Sequence, residues 1–165
     1  MDQDFEGVYR AYGGTVFGYL VRLTRDRHLA EELCQETFVR YLRHRDTLRC
    51  NNGSLGPWLF RVATRLVLDS RRRRRPVPLQ HEPIEESTVE SAAETRDLGR
   101  RVRREIDTLP PELRATFLLR AHHELTYAQI GAATGVSERA AKDRFRRGRD
   151  LLLKRLAPLI REIRS

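Results

Sequence analysis

The sequence predicts an all-α protein made of two small helical domains that are joined by an acidic, flexible linker. Apolar residues recur at intervals of three and four in both halves of the chain, which is the spacing of a helical face, and no strand-like alternation competes with it. The middle of the chain lacks that periodicity and is rich in proline and glutamate. With 165 residues, the chain has room for one ordinary domain or two small ones.

The distribution of charge divides the chain into three parts. Residues 1–75 carry 15 basic and 9 acidic side chains, residues 76–98 carry 1 and 6, and residues 99–165 carry 16 and 8. Proline at positions 76, 78 and 83 favours an extended backbone in the middle part. We therefore expect an N-terminal domain over residues 1–75, an acidic linker over 76–98 and a C-terminal domain over 99–165.

The overall charge points to a polyanionic partner. The chain carries a formal net charge of +9 at pH 7 and has a sequence pI near 10.5, so nucleic acid is a better partner than a small neutral substrate.

Cys34 and Cys50 have neither CxxC spacing nor neighbouring ligands, so we expect no metal and no disulfide framework. No catalytic constellation and no cofactor motif is evident. The absence of a disulfide framework favours the reducing cytoplasm. We also expect no membrane insertion, because no apolar run approaches the ~18 residues of a membrane helix.

Three helices are predicted in the N-terminal domain, each from apolar residues that share one face. The third opens with Pro57 in its first turn, where proline is well tolerated. A turn-rich stretch, Asp46 to Ser54, separates it from the second helix. The predicted apolar stripes are Phe5, Val8, Tyr9, Tyr12, Val16, Tyr19, Leu20 and Leu23; Leu29, Leu33, Cys34, Phe38, Tyr41 and Leu42; and Leu55, Trp58, Leu59, Val62, Ala63, Leu66 and Val67.

Two of these helices also present a polar or basic face. The third helix places arginines on a second face and ends in the run Arg71–Arg75, which predicts contact with anions, although a solvated helix end is the simpler alternative. The second helix has a polar face made of Glu31, Glu32, Gln35, Glu36 and Arg40.

The C-terminal domain carries the spacing of a helix-turn-helix. Leu109-Pro110-Pro111 ends one helix and begins the next. Thr126 and Gln129 fit a capping box, and Gly135 supplies a left-handed residue at the end of the helix that follows. Ser137 then caps the last helix. Such a pair of helices places the second one in the major groove of DNA.

The last helix is predicted to be the one that contacts DNA. Its outer face is basic, and arginine or lysine can read the guanine edge in the major groove. Asp143 has two readings, because it could accept a hydrogen bond from cytosine or pair with Arg139 or Arg147 four residues away. The candidate DNA-binding residues are Ser137, Arg139, Lys142, Asp143, Arg146, Arg147 and Arg149.

These motifs, in this order, resemble the extracytoplasmic-function (ECF) sigma factors of bacterial RNA polymerase. The resemblance is carried by Asp26–Phe38 with Pro57–Ala63 in the first domain, and by Leu109–Arg114 with Gly135–Arg149 in the second. It implies a protein that is not an enzyme and that needs no cofactor. It also implies four partners or ligands: the clamp helices of the largest subunit of core RNA polymerase, the flap of the second-largest subunit, promoter DNA, and a cognate anti-sigma factor.

The resemblance assigns a role to each face. The polar face of the second helix, Glu31, Glu32, Gln35, Glu36 and Arg40, would bind the polymerase. The recognition helix would bind the -35 element. The stretch Asp46–Ser54 and the third helix would hold the melted -10 element, with Asn51, Asn52, Arg61, Arg65 and Arg72 as candidates, since basic side chains bind strand phosphates and amides bind an unstacked base. Trp58 is expected to be core rather than a stacking platform.

Two other functions remain compatible with a helix-turn-helix. The alternative is a stand-alone transcriptional regulator, which usually dimerises on repeated half-sites. A small recombinase or nuclease would need a metal-carboxylate cluster or a nucleophile beside clustered arginines.

Overall fold

The computed structural model describes residues 5–50, 55–73 and 93–164. Helices dominate this part of the chain, and no strand occurs within it, so the predicted all-α fold with two small helical domains is confirmed. In chain order the helices are α1 (Phe5–Thr24), α2 (Arg27–Cys50), α3 (Leu55–Arg73), α4 (Ala93–Asp107), α5 (Pro111–Ala121), α6 (Tyr127–Thr134) and α7 (Glu138–Arg164).

The first three helices pack around the apolar stripes that the sequence predicts. Val16, Leu20 and Leu59 are completely buried between them. The Tyr19 hydroxyl lies 2.8 Å from the Thr64 hydroxyl and so ties α1 to α3 inside the core. A buried hydroxyl pair of this kind satisfies both polar groups away from water.

Two residues of the predicted stripes are in fact exposed. Leu42 is 40% exposed because it lies seven residues after Gln35, on the outer face of α2 rather than the inner one. Tyr9 is 52% exposed because it sits at the edge of the unit, where its ring covers those of Phe5 and Phe38. The helical spacing of the apolar residues is therefore confirmed, but the residues at the edges of each buried face are not all predicted correctly.

Two predicted boundaries also differ from the structure. α2 continues to Cys50, so the first part of the turn-rich stretch predicted from Asp46 is helical, since neither proline nor glycine interrupts it before Gly53. α4 begins at Ala93, which makes residues 93–98 helical although they were assigned to the linker. Asn51, Asn52 and linker residues 76–92 lie outside the described residues, so the linker prediction applies to a part of the chain that is not described.

The helix-turn-helix forms as its local sequence dictates. The Thr126 hydroxyl accepts from the Gln129 backbone N–H at 3.2 Å, and the Gln129 side chain accepts from the Thr126 N–H at 2.9 Å. Gly135 ends α6 in the left-handed region with φ of 76°. A Cβ on Gly131 would lie 2.6 Å from the Val136 carbonyl oxygen, so the turn requires glycine there too.

The two helical units pack directly against each other. α3 contacts α6 and α1 contacts α5, and the buried residues of both units form one continuous core. His123, in the turn after α5, packs against two rings of the first unit, with centroid distances of 4.2 Å to Phe60 and 5.4 Å to Tyr19. Because these residues are far apart in sequence, no local pattern predicted this junction. Within the described residues, no helix is both long enough and apolar enough to cross a membrane.

Candidate nucleic-acid and polymerase interfaces

The start of α7 presents the basic face that the sequence predicts. The Ser137 hydroxyl caps the helix by accepting from the Ala140 N–H at 3.1 Å. Ala141, Gly148 and Leu152 hold the inner side of the helix against the domain. The outer side is left to five exposed basic residues: Arg139, Lys142, Arg146, Arg147 and Arg149. A helix of this width fits the B-DNA major groove, which is about 12 Å wide.

Asp143 forms an ion pair within its own helix. Its Oδ1 accepts from Arg146 at 2.6 Å, three residues along, and not from Arg139 or Arg147 as the spacing of four suggested. Arg149 is held in a similar way, because its guanidinium lies 3.1 Å from the Asp150 carboxylate. Both pairs are exposed to solvent and so are weak, which leaves the arginines able to exchange them for phosphate or base edges.

α3 carries the predicted basic face, and one of its arginines makes a hydrogen bond to the other helical unit. Arg61 and Arg72 are exposed. Arg65, by contrast, donates a hydrogen bond of 3.2 Å to the carbonyl oxygen of Ala132 on α6. This bond is exposed to solvent and uses one of the five N–H donors of the guanidinium, so Arg65 could bind a DNA strand with its other donors or by giving up this bond.

Trp58 and Arg71 have structural contacts that bear on their predicted roles. Trp58 is half-buried and packs against the core as expected, with its ring 6.0 Å from that of His44. Arg71, the first arginine of the run 71–75, donates at 2.9 Å to the carbonyl oxygen of Leu23 at the end of α1. Burial lowers the pKa of Arg71. At least this member of the run ties helices together rather than simply facing solvent.

Arg114 is the most buried arginine at the junction between the two units. Only 5% of it is exposed, and its guanidinium donates to the carbonyl oxygens of Leu23 at 3.2 Å and Leu109 at 2.9 Å. Burial lowers the pKa of Arg114 to about 10, and repulsion from Arg25 and Arg71 adds to this effect. One cation thus holds the C-terminal ends of two helices from different domains, at Leu23 at the end of α1 and at Leu109 just after α4. A positive charge is favourable there because the C-terminal end of a helix is partly negative. Sequence reasoning missed this residue because its partners are distant in the chain.

The polar face of α2 is organised by ion pairs along the helix. Glu31 lies 3.6 Å from Arg27, Glu36 lies 3.0 Å from Arg40, and Glu32 lies 3.3 Å from His28. These pairs leave Gln35 exposed between them. Since the pairs are exposed, they contribute little to stability and are easily exchanged for pairs with a partner.

The same face contains an apolar patch that the sequence analysis did not assign to it. Val39 is 37% exposed and Leu42 is 40% exposed, in line with Gln35 on the outer side of α2. A patch of apolar residues inside a polar rim is typical of a protein interface. Leu42 was overlooked because it also fits the inner stripe by spacing.

The adjacent histidines do not form a metal site in the described structure. His122 and His123 directly follow α5, and their rings are 6.5 Å apart. Burial lowers the pKa of both, that of His123 to about 4, with further contributions from nearby Arg22. Across the described ranges, no group of three or more histidine, cysteine or acidic side chains is placed to hold a metal ion.

Comparison with known proteins agrees with this arrangement. Residues 8–77 match the Sigma-70 region 2 family, and residues 99–152 match the Sigma-70, region 4 family. The ECF RNA polymerase sigma factor SigE of Mycolicibacterium smegmatis is 32% identical over 160 residues, which cover 93% of this chain but only 62% of SigE. The RNA polymerase sigma factor CarQ of Myxococcus xanthus is 30% identical, over 96% of this chain and 92% of CarQ.

A solved structure supports the fold. The sigma factor RpoE of Bartonella quintana, in complex with the anti-sigma factor NepR, matches with a TM-score of 0.76 at 17% identity, over 94% of this chain and 98% of that one. The sequence matches, with the two Sigma-70 regions in this order, show that the chain belongs to the ECF sigma factors of bacterial RNA polymerase.

Proposed function

We propose that this protein directs core RNA polymerase to specific promoters and stabilises the melted -10 element, with a different helix responsible for each contact. Transcription itself belongs to the polymerase, and the chain supplies binding energy and specificity rather than chemistry. Work with the polymerase would take place in the cytoplasm. By analogy with the family, a cognate anti-sigma factor would hold the protein inactive.

The outer face of α2 is the proposed contact with the clamp helices of the polymerase. Its apolar residues Val39 and Leu42 would supply the buried centre, because they are exposed in the free protein. Gln35 and the acidic residues Glu31, Glu32 and Glu36 would form the polar rim with Arg40, exchanging their internal pairs for pairs across the interface.

The first turns of α7 are the proposed reader of the -35 element. Arg139, Lys142 and Arg146 are exposed at spacings of three and four, so they lie on one face of the helix. Each could reach a guanine edge or a phosphate in the groove. Ser137 at the N-terminus, and Arg147 and Arg149 at the flanks, suit phosphate contacts that fix the position of the helix.

The basic face of α3 is the proposed contact with the melted -10 strand. Arg61 and Arg72 are accessible for this role, and Asn51 and Asn52 remain candidates in the adjoining segment that the structure does not describe. Arg65 could join them with its remaining N–H donors or by releasing the Ala132 carbonyl.

The observation that carries the proposal is that α2 exposes a polar face with an apolar centre, whereas α7 exposes a basic face, on one chain of this family. The test is transcription by core polymerase reconstituted with this protein, with start sites mapped by sequencing. Alanine at Arg139, Lys142 or Arg146 should weaken use of the -35 element, by roughly 1–3 kcal/mol where a bidentate base contact is lost. Substituting Gln35 and Val39 should instead weaken assembly with core polymerase.

The two sets of variants serve as controls for each other. The α7 variants should still assemble with core polymerase, and the α2 variants should keep the DNA affinity of the helix-turn-helix. A stand-alone regulator would bind duplex repeats as a dimer and would not assemble with polymerase. If both sets produced the same defect, the proposed division of roles would be wrong.

A further inference from the structure

The first half of α7 carries one carboxylate that the protein leaves without a partner. Three acidic residues lie among its basic side chains. Asp143 is held by Arg146 at 2.6 Å, and Asp150 is held by Arg149 at 3.1 Å. The third, Glu138, is exposed, and its carboxylate makes no ion pair and no hydrogen bond within the part of the chain that the structure describes. Both oxygens of Glu138 are therefore available to a partner outside the protein.

The backbone fixes the position of Glu138 at the start of the helix. The Ser137 hydroxyl accepts from the Ala140 N–H at 3.1 Å, and the Ser137 carbonyl accepts from the Ala141 N–H at 2.9 Å, so Glu138 lies in the first turn. A Cβ on Gly131 would lie 3.3 Å from the Glu138 nitrogen, because α6 and the start of α7 pack closely. The N-terminal residues of a recognition helix are those that contact base edges.

An unpaired carboxylate is unfavourable on a surface that approaches phosphates. Phosphates repel it, whereas the affinity of a protein for DNA comes largely from its cations. Lys142 follows four residues later, in the order that favours a pair with Glu138, yet both side chains point outward without one. A carboxylate in this place is compatible with tight binding only where the DNA supplies a hydrogen-bond donor.

The major groove offers two kinds of donor, the N4 amino group of cytosine and the N6 amino group of adenine. An ionised carboxylate can only accept. On adenine the acceptor N7 lies beside the amino group and would repel the second carboxylate oxygen, whereas cytosine carries no such acceptor. The guanine opposite presents O6 and N7, which suit a lysine. A C·G pair therefore complements Glu138 and Lys142 together.

We propose that Glu138 is a specificity-determining residue of the -35 contact and selects cytosine at one position of the element by accepting a hydrogen bond from N4. This inference rests on the proposed function of α7. The competing explanation is structural, since an acid in the first turn stabilises a helix through its dipole, whatever the DNA sequence. Shortened and neutral side chains at position 138 distinguish the two.

The experiment is selection from a promoter library with a randomised -35 element, by core polymerase reconstituted with the full chain. Glu138→Gln should shift the preferred base at one position from cytosine to adenine by about fivefold or more, because glutamine can pair with both N6 and N7 of adenine. Glu138→Asp keeps the charge at the helix start but is one methylene shorter. It should lose the preference for cytosine at that position and gain no other.

The matched control is Glu112→Gln. Glu112 is also an exposed acid in the first turn of a helix, but that helix is α5 and not the recognition helix. Its neutralisation should lower the melting temperature slightly, as Glu138→Gln does, and should leave every base preference unchanged. Circular dichroism would show that all three variants fold.

The outcomes separate this inference from the proposed function. If the natural protein selects a defined -35 sequence and both variants at Glu138 select the same sequence, the inference is wrong and the proposed function stands. Glu138→Gln that raises affinity for all sequences equally would also overturn the inference, since the carboxylate would then only repel phosphates. If the natural protein selects no -35 sequence at all, the proposed function fails and the inference fails with it.

Discussion

The guanidinium of Arg114 donates a hydrogen bond to the carbonyl oxygen of Leu23, 91 residues away, at the end of α1. The same oxygen accepts from Arg71 of α3 at 2.9 Å. Three helices from both domains therefore meet at one carbonyl group. This contact links the unit proposed to bind polymerase and -10 DNA to the unit proposed to bind the -35 element.

Replacing Arg114 should destabilise the protein. Arg114→Met removes the donor to Leu109, and Leu23 keeps only Arg71, so the free energy of unfolding should fall by about 1–3 kcal/mol. Urea denaturation followed by circular dichroism measures the change. Arg104→Met, at an exposed arginine of α4, is the matched control and should be close to neutral. A variant at Arg114 that is as stable as the control would contradict this account.

The packing of His123 predicts a dependence of stability on pH. Because burial lowers its pKa to about 4 in the folded protein, an unfolded chain takes up a proton on this histidine at a higher pH than the folded chain does. The contribution of His123 is therefore fully present above about pH 6.5 and is lost as the pH falls towards 4.

The control for this pH effect is His123→Phe, which keeps a ring against Phe60 and Tyr19 but cannot titrate. Carboxylates that titrate in the same range affect both proteins and cancel in the comparison. The variant should lose less stability than the natural protein between pH 6.5 and 4. Parallel losses in melting temperature would show that His123 does not titrate as described.

Two glycines should respond to alanine in opposite ways. Gly131→Ala places a Cβ against the Val136 carbonyl and should destabilise the helix-turn-helix by roughly 1–3 kcal/mol. Gly18→Ala, in the interior of α1 with open space around it, should stabilise by about 0.5–1 kcal/mol. The melting temperatures of the two variants measure both effects. An unchanged melting temperature for Gly131→Ala would mean that the Val136 carbonyl does not lie as close to residue 131 as described.

The ion pair of Asp143 with Arg146 predicts the phenotype of Asp143→Asn. If the carboxylate only holds Arg146, losing it should raise general affinity for DNA and steepen its salt dependence without changing the preferred -35 sequence. Selection of promoters from a randomised -35 library by the reconstituted polymerase would reveal any change. A shifted preference at a single base pair would instead identify Asp143 as a base-reading residue.

Features that depend on residues close in sequence could be predicted, whereas contacts between residues far apart in the chain could not. The capping box of Thr126 with Gln129 and the left-handed Gly135 depend on neighbours within a few residues, so the helix-turn-helix was visible in the sequence. Phe60 and Arg114 are buried, and His123 is half-buried, where one helical unit packs on the other. Nothing in their local spacing distinguishes them from surface residues, which is also why the partner of Arg65 on α6 was not foreseen.

The central claim is that the chain reads one promoter element with α7 while α3 stabilises the melted strand at the other. Permanganate oxidation of unpaired thymines in the -10 region, in a complex of promoter DNA with reconstituted polymerase, tests it most directly. Reactive thymines should appear with the natural protein and fade with Arg61→Ala and Arg65→Ala together, but not with Arg104→Ala. Thymines that stay protected with the natural protein, or react equally with the double variant, would contradict the account.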